Sequence, residues 1–213
     1  MILKASHIAR RLVESDEISI VDPLVITPRP DVSKLANSSA ASVDLRLGTW
    51  FVTLRQTRMS HLHSGDVAAE PQLTKTHYVP FGSEYWLHPR SFVLGVTLEW
   101  IRMPTDLAAY VVGKSSWGRR GLIIATAVGV HPGFKGCLTL ELSNVGELPV
   151  AIRPGVPICQ LFLHTTDGVD TAETDQSQFV GLRKPTLGKV PQDEIARKLA
   201  DAQNIRLGAS QLP

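Results

Sequence analysis

One stretch of the chain reads Cys137-Leu138-Thr139-Leu140-Glu141-Leu142-Ser143-Asn144 and alternates strictly between apolar and polar side chains. A period of two predicts a β-strand with the three leucines on one face. Glu141 then lies on the opposite face, although glutamate is depleted within strands. It is either an ordinary exposed strand residue or a carboxylate that lines a pocket, and this segment alone favours the exposed interpretation.

Similar β-prone segments recur along the chain between turn signals. They cover residues 42–47, 50–54, 84–87, 92–98, 109–112, 122–127, 137–143 and 158–164. Short strands at this spacing predict a mainly β protein, built as a barrel or a jelly roll. Residues 23–30, which contain three prolines, and residues 37–42 are predicted to be irregular connections, and residues 58–76 a long loop or hairpin excursion.

Two short peripheral helices are predicted at the ends of the chain. Ser6 can cap the first helix, in which Ile8, Leu12 and Val13 share one face. The second helix is predicted over residues 192–202, where apolar residues lie four apart.

Composition limits the classes of protein to which the chain can belong. Its 213 residues are 43% hydrophobic and 20% charged, which predicts one globular domain. A formal net charge of +2 gives no indication of a nucleic-acid-binding surface. No segment approaches the roughly 18 apolar residues of a membrane span, and Cys137 and Cys159 read as buried free thiols of a reducing compartment. We therefore expect a soluble cytoplasmic protein.

Residues 113–121 read Gly-Lys-Ser-Ser-Trp-Gly-Arg-Arg-Gly and form a candidate anion-binding turn after a predicted strand. Glycines let backbone N–H groups approach an oxyanion, while hydroxyls and cations add further hydrogen bonds. The segment is not a P-loop, because Ala108 stands where that motif requires glycine. A solvated polar turn is the alternative interpretation.

The histidines give little indication of a metal site. His61 and His63 lie in the predicted loop with no third ligand at metal spacing, which favours surface histidines. His131, just before the Glu141 strand, is the one histidine that we place near a functional site.

Taken together, several segments resemble the dCTP deaminase family in their order along the chain. They are residues 41–48, 85–89, 95–99, 113–119, 132–136, 140–141, 148–149 and 153–155. The resemblance implies a distorted jelly-roll or β-barrel homotrimer of the trimeric dUTPase type, with active sites at subunit interfaces. It also divides the chain into a domain over residues 1–191, with a C-terminal closing arm at about 175–191, and a helical extension over 192–213.

The resemblance implies zinc-independent chemistry, and the His-x-Glu and Pro-Cys-x-x-Cys signature of zinc deaminases is absent from the sequence. Glu141 corresponds to the family's proton-shuttling glutamate, which reverses the exposed interpretation above. Ser115, Arg119 and the backbone carbonyl of Ala127 correspond to groups that position and polarise the attacking water. Mg²⁺ would be bound through the nucleotide triphosphate.

The resemblance also implies a nucleotide-binding set. It comprises Lys114, Ser115, Ser116, Arg119, His131, Thr139, Leu140, Glu141, Phe179 and Arg183. The partner is then a pyrimidine deoxynucleotide, with Lys114, Ser115 and Ser116 holding its triphosphate.

Some positions depart from the family pattern. His131 replaces an aspartate that contacts the deoxyribose, and Lys114 replaces an arginine, which loses the planar fork that grips phosphate. In the arm segment 178–186, Gln178 replaces a lysine and Leu182 a glutamine. The leading hypothesis is deamination of dCTP to dUTP and ammonia. The alternatives are a bifunctional enzyme that also yields dUMP, which His131 disfavours, and a non-catalytic nucleotide-binding regulator.

Overall fold

The computed structural model describes residues 1–14, 22–55, 73–125, 129–167, 181–188, 194–195 and 198. Within these residues the strands are β1 Val25–Thr27, β2 Val43–Arg46, β3 Trp50–Leu54, β4 Thr74–Tyr78, β5 Tyr85–Leu87, β6 Phe92–Arg102, β7 Leu107–Gly113, β8 Leu122–Ile124, β9 Gly129–Val130, β10 Lys135–Asn144, β11 Val150–Ile152 and β12 Pro157–Thr165. The helices are α1 Ala5–Glu14, α2 Val32–Ala36 and α3 Ser115–Gly118.

The strands pair in three antiparallel sheets. The largest has the order β4-β3-β6-β10-β8, and β1 pairs with the second half of β6, beyond the part that pairs with β3. The second sheet has the order β2-β12-β7-β9, and β5 pairs with β11 in the third. The predicted mainly β fold is confirmed, and each of the predicted strands has an observed counterpart. The described strands form separate sheets and do not close into one barrel.

The strand β10 lies between β6 and β8 in the largest sheet and has one apolar face, as its alternating sequence predicts. Leu140 and Leu142 are fully buried and Leu138 is 8% exposed, so one face of β10 packs into the core. On its two edges β10 pairs with β6 and β8. This placement leaves the face that carries Glu141 directed away from the main core.

An ion pair between a buried carboxylate and a partly exposed arginine joins the two larger sheets. The side chain of Glu99 on β6 is only 3% exposed and accepts a 2.6 Å hydrogen bond from Arg46 Nε on β2. Its second oxygen accepts the backbone N–H of Arg46 at 2.8 Å. Both carboxylate oxygens therefore have a donor, which offsets the cost of removing a charge from water.

Two predicted irregular segments contain strands. Residues 25–27 pair with β6, although the prolines around them indicate a connection, because Val-Ile-Thr is β-branched throughout and Ile26 is buried. In the segment 58–76, predicted as a long loop or a hairpin excursion, residues 74–76 belong to β4 and pair antiparallel with β3, as in a hairpin. Residues 58–72 of that segment lie outside the described part of the chain.

The first helix differs from its prediction in two details. Ser6 lies inside α1 and does not cap it, because the helical hydrogen bonds already begin with the Lys4 carbonyl accepting from the Ile8 N–H at 3.0 Å. Ile8 and Leu12 are buried as predicted, but Val13 is 50% exposed. A residue one position after Leu12 is rotated by about 100° around the helix axis, off the buried face.

The remaining predictions on composition and termini have mixed outcomes. Both cysteines are free; Cys159 is buried, whereas Cys137 is only partly buried. No helix in the described ranges is long and apolar enough to cross a membrane. Of the predicted helix over 192–202, the structure describes Glu194, Ile195 and Lys198, which are helical, and the rest lies outside the described residues.

Candidate active site

The predicted anion-binding turn follows directly from the end of β7. Lys114 is the N-cap residue of α3 and has an extended backbone conformation. Its N–H donates to the Ile158 carbonyl at 3.1 Å, and its carbonyl accepts from the N–H groups of Trp117 and Gly118. These bonds fix the turn against β12 and leave the side chains of Ser115 and Ser116 exposed to solvent.

The two arginines of the turn have different environments. Arg120 donates from Nη1 to the Ser116 carbonyl at 2.6 Å, so its guanidinium braces the turn itself. The Arg119 side chain makes no hydrogen bond or ion pair with any other residue that the structure describes. Arg119 is therefore the arginine of this pair that is available for a ligand.

Lys114 is held by a contact that sequence reasoning missed. Its Nζ lies 2.7 Å from Asp44 Oδ2 on β2. Asp44 Oδ1 also accepts from Gln160 Nε2 on β12 at 3.1 Å. The only sequence signal for this pair is the position of Asp44 in the strand segment 41–48, and the two residues are 70 positions apart.

Glu141 stands on β10 directly opposite Leu94 of β6, which is 5% exposed. Facing residues of antiparallel strands share one side of the sheet, so the carboxyl has an apolar neighbour. The side chain is half-buried, and this burial raises the pKa of the Glu141 carboxyl. Within the described part of the chain, the carboxyl has no hydrogen-bond donor. Such a group can both accept and return a proton.

Two neighbours of Glu141 in the predicted set occupy opposite faces of β10. Thr139 lies on the same face as Glu141, opposite Val96, and is half-buried. The Leu140 side chain is fully buried in the core. Leu140 can therefore contribute only backbone groups to a pocket on the Glu141 face.

The segment that follows β8 contacts β10 before residues 126–128 and β7 after them. Ala125 N–H donates to the Glu141 carbonyl at 2.9 Å, whereas Gly129 already pairs with Tyr110 of β7. Ala127 lies between them, in residues 126–128, outside the described part of the chain. His131 follows β9, is exposed, and accepts a hydrogen bond on its carbonyl from the Phe134 N–H.

These residues occur in a chain that matches a known family over most of its length. The sequence model of a family described as dCTP deaminase-like matches residues 2–166. The chain belongs to the dCTP deaminase-like family. The resemblance inferred from the motifs is thereby confirmed.

Individual members of the dCTP deaminase-like family support the same assignment. A protein of Halorubrum lacusprofundi named dCTP deaminase is 43% identical over 162 residues, which are 76% of this chain and 75% of that protein. A protein of Methanobrevibacter smithii named dCTP deaminase, dUMP-forming, is 38% identical over 143 residues, which are 67% of this chain and 72% of that protein.

A solved structure supports the fold. The crystal structure of 2′-deoxycytidine 5′-triphosphate deaminase from Agrobacterium tumefaciens superposes with a TM-score of 0.55 at 22% identity. The match covers 76% of this chain and 46% of that one, so the dCTP deaminase-like chain spans about half the length of that structure.

Residues 181–182, within the predicted closing arm of this dCTP deaminase-like chain, pack beside the start of β10. The Gly181 N–H donates to the Lys135 carbonyl, and the Leu182 carbonyl accepts from the Cys137 N–H at 2.9 Å. Burial raises the pKa of the Cys137 thiol, while the nearby charge of Arg183 acts in the opposite direction. Arg183 is thus brought to the strand that carries Glu141. Phe179 and Gln178 lie outside the described residues.

A groove of about 760 Å³ opens beside the α3 turn. Residues 117 and 119–121 line one side of it, and residues 146–151 line the other. Arg119 is the predicted site residue that lines this groove; Lys114, Ser115, Ser116 and Glu141 do not. The groove therefore combines only one of the predicted site residues with the loop after β10.

The described residues include no group of three or more His, Cys, Asp or Glu side chains placed to bind a metal ion. His61 and His63 lie outside them. The donors of the α3 turn, an ammonium, two hydroxyls and a guanidinium, match phosphate oxygens and not a cation.

Proposed function

We propose that this chain deaminates dCTP hydrolytically to dUTP and ammonia, using Glu141 as the proton shuttle. Membership of the dCTP deaminase-like family supports the reaction. The single observation that carries the assignment of Glu141 is its half-buried carboxyl, whose pKa is raised by burial beside an apolar strand and which has no donor among the described residues. A strand glutamate with only a structural role would be expected to have a cation or an N–H partner.

The reaction requires one group that moves protons in two directions. Glu141 takes a proton from water as its oxygen attacks C4 of the cytosine ring, which gives a tetrahedral intermediate. The same carboxyl passes that proton to the ring nitrogen, then takes the proton of the new C4 hydroxyl and delivers it to the amino group. The C4–N bond breaks, ammonia leaves, and the hydroxyl oxygen becomes the C4 carbonyl of dUTP. A raised pKa suits this role, because a carboxylate whose pKa is higher is a stronger base toward the attacking water.

Ser115, Arg119 and the carbonyl of Ala127 are proposed to position the attacking water. The Arg119 guanidinium has five N–H donors and no partner within the described residues, which supports a role in binding developing negative charge. The exposed Ser115 hydroxyl can both donate to and accept from a water molecule. Ser115 is proposed to serve the water and a phosphate oxygen from the same turn.

The triphosphate is proposed to lie against Lys114, Ser115 and Ser116. Mg²⁺ would arrive on the triphosphate oxygens, where it neutralises part of the phosphate charge. The deamination is proposed to proceed without zinc. His131 is proposed to contact the deoxyribose, with Thr139 and the Leu140 backbone beside the base and with Phe179 and Arg183 contributed by the closing arm over about 175–191.

We further propose a homotrimer in which subunits complete one another's sites. Tyr110 and Val112 on β7 are 53% and 47% exposed in the single chain, a large apolar exposure for a strand. The unpartnered carboxyl of Glu141 and guanidinium of Arg119 also favour a site that is finished by a ligand and a neighbouring subunit. The domain over 1–191, the helical extension over 192–213 and a cytoplasmic location belong to the same proposal.

The assay that tests the function uses purified protein with dCTP, dUTP and CTP in the presence of Mg²⁺. Nucleotides are separated by chromatography, and ammonia is measured independently. Formation of dUTP with an equal amount of ammonia is expected from dCTP. If dCTP binds but no ammonia appears, the chain is a non-catalytic nucleotide-binding regulator and the proposed function is wrong.

A second activity, hydrolysis of dUTP to dUMP and pyrophosphate, is favoured by the dUMP-forming relative from Methanobrevibacter smithii. His131 argues against it, because an imidazole is a different base from the aspartate that the family pattern places there. We expect no dUMP from dUTP. Formation of dUMP would show that His131 supports the second step.

A further inference from the structure

The contact between Asp44 and Lys114 spans three neighbouring strands. Gln160 on the middle strand β12 stands opposite Asp44 of β2 on one side and opposite Val112 of β7 on the other. Lys114 begins the turn just after β7 and reaches back across β12, so that its Nζ lies 2.7 Å from Asp44 Oδ2. Gln160 Nε2 holds Asp44 Oδ1 at 3.1 Å. The carboxylate is thus restrained from two directions.

This ion pair is poorly placed to stabilise the fold. The side chains of Lys114 and Asp44 are 25% and 44% exposed. Ion pairs in such partly solvated positions contribute little to the free energy of unfolding, because water screens them and both side chains lose freedom. The pair is better explained by its restraint of the ammonium group of Lys114, the N-cap residue of α3.

We propose that Asp44 is a positioning residue that holds the Lys114 ammonium toward the triphosphate. This inference rests on the proposed function. A lysine ammonium has three N–H donors, so the bond to Asp44 leaves two for phosphate oxygens. Lysine lacks the rigid planar fork of arginine and must lose side-chain freedom when it binds phosphate. The Asp44 contact removes part of that freedom before the nucleotide arrives.

Asp44 could also weaken nucleotide binding, through the negative charge of its carboxylate. A carboxylate near the turn repels a triphosphate, so loss of its charge would strengthen nucleotide binding if repulsion dominated. The positioning proposal requires the restraint of Lys114 to outweigh this repulsion. The sign of the change in dCTP affinity therefore distinguishes the two effects.

The test measures the dissociation constant of Mg²⁺·dCTP by titration calorimetry in Glu141→Gln protein, which cannot turn the nucleotide over under the proposed function. Asp44→Asn is expected to weaken binding about 5-fold, the size expected when one long side chain regains roughly half of its freedom. In Lys114→Met protein, Asp44→Asn is expected to cause no further loss. This double-mutant cycle isolates the effect that passes through the lysine.

Asp106→Asn is the matched control. Asp106 pairs with Arg11 at 2.7 Å, and these side chains are 42% and 33% exposed, close to the values for the proposed pair. Asp106 precedes β7 and Lys114 follows it, so eight residue steps along the strand separate them by roughly 26 Å. The control substitution is expected to leave the affinity for dCTP unchanged.

Unchanged or tighter dCTP binding in Asp44→Asn would overturn the proposal, as would an equal loss in the Lys114→Met background. If Asp44→Asn fails to fold, Gln160→Met replaces it and is expected to weaken binding about 2-fold by loosening Asp44; unchanged affinity there also overturns the proposal. The proposed function is tested separately, by ammonia release from dCTP in the unmodified protein. Binding that depends on Asp44 without ammonia release would refute the deaminase activity and leave the positioning role intact.

Discussion

Asn144 is expected to be one of the most sensitive polar residues in the fold. It ends β10 and is fully buried, and its side chain makes three hydrogen bonds to the backbone. Nδ2 donates to the carbonyls of Leu87 at 2.8 Å and Leu148 at 2.9 Å, and Oδ1 accepts from the Gly146 N–H at 2.9 Å. These bonds tie the loop that lines the groove beside Arg119 to the strand that carries Glu141.

Asn144→Ala removes all of these bonds at once. At about 1 kcal/mol for each hydrogen bond, the free energy of unfolding should fall by about 3 kcal/mol. The exposed position of Leu148 lets water reach its freed carbonyl, which keeps the loss near this value and below the full cost of three unsatisfied buried groups. For a chain of this size, the expected decrease in Tm is about 6 to 12 °C.

Thermal and urea unfolding of Asn144→Ala measure this loss, with Asn37→Ala as the control. Asn37 is exposed, and its side chain makes one hydrogen bond, to the Ser33 carbonyl at 2.9 Å. The control should lose at most about 0.5 kcal/mol. If the two variants differ by less than about 1 kcal/mol, the buried network does not stabilise the loop as argued.

Gly121 has a φ of +86°, and a Cβ there would lie 2.7 Å from the Gly146 backbone nitrogen, so Gly121→Ala should lower stability by about 2 to 3 kcal/mol in urea unfolding; a neutral effect would show that the two loops can separate. Arg46→Met leaves the buried Glu99 carboxylate without its cation and should cost about 3 kcal/mol, and an unchanged urea midpoint would contradict the role of this pair. Burial raises the pKa of the Glu141 carboxyl in the folded state, so the native protein binds the extra proton and loses stability as pH rises through that pKa. The Tm of Glu141→Gln should therefore be higher than that of the unmodified protein at pH 8 and the same at pH 4. A difference in Tm that does not change with pH would show that the titration of Glu141 does not affect stability.

The sequence predicts the elements whose signals are local. The alternation around Leu140 is a property of consecutive residues, and it correctly identifies both the strand and the face that carries Glu141. The strand at residues 25–27 is hidden because its local signals conflict, with β-branched residues between prolines. These residues form a strand because they pair with β6, some 75 residues away. Local sequence patterns do not show which distant strand a segment pairs with.

In the candidate site, too, contacts between residues that are distant in sequence could not be predicted. The hydroxyls and cations of the α3 turn are visible in the sequence because they are contiguous. The ion pair that restrains Lys114 is not visible, since Asp44 reaches it through the order of strands β2, β12 and β7. Likewise, the different environments of Arg119 and Arg120 follow from the path of the turn, because neighbouring arginines have the same chemistry until one of them finds a backbone carbonyl.

Dependence of dCTP deamination on Glu141 is tested most directly by measuring ammonia release from dCTP by the unmodified protein and by Glu141→Gln, with dCTP binding measured in both. We expect stoichiometric dUTP and ammonia from the unmodified protein. In the variant we expect a rate reduced about 10²- to 10⁴-fold, the range for loss of a positioned acid-base group, with dCTP still bound. Turnover within tenfold of the unmodified rate in Glu141→Gln, or dCTP binding without any ammonia from the unmodified protein, would contradict the central claim.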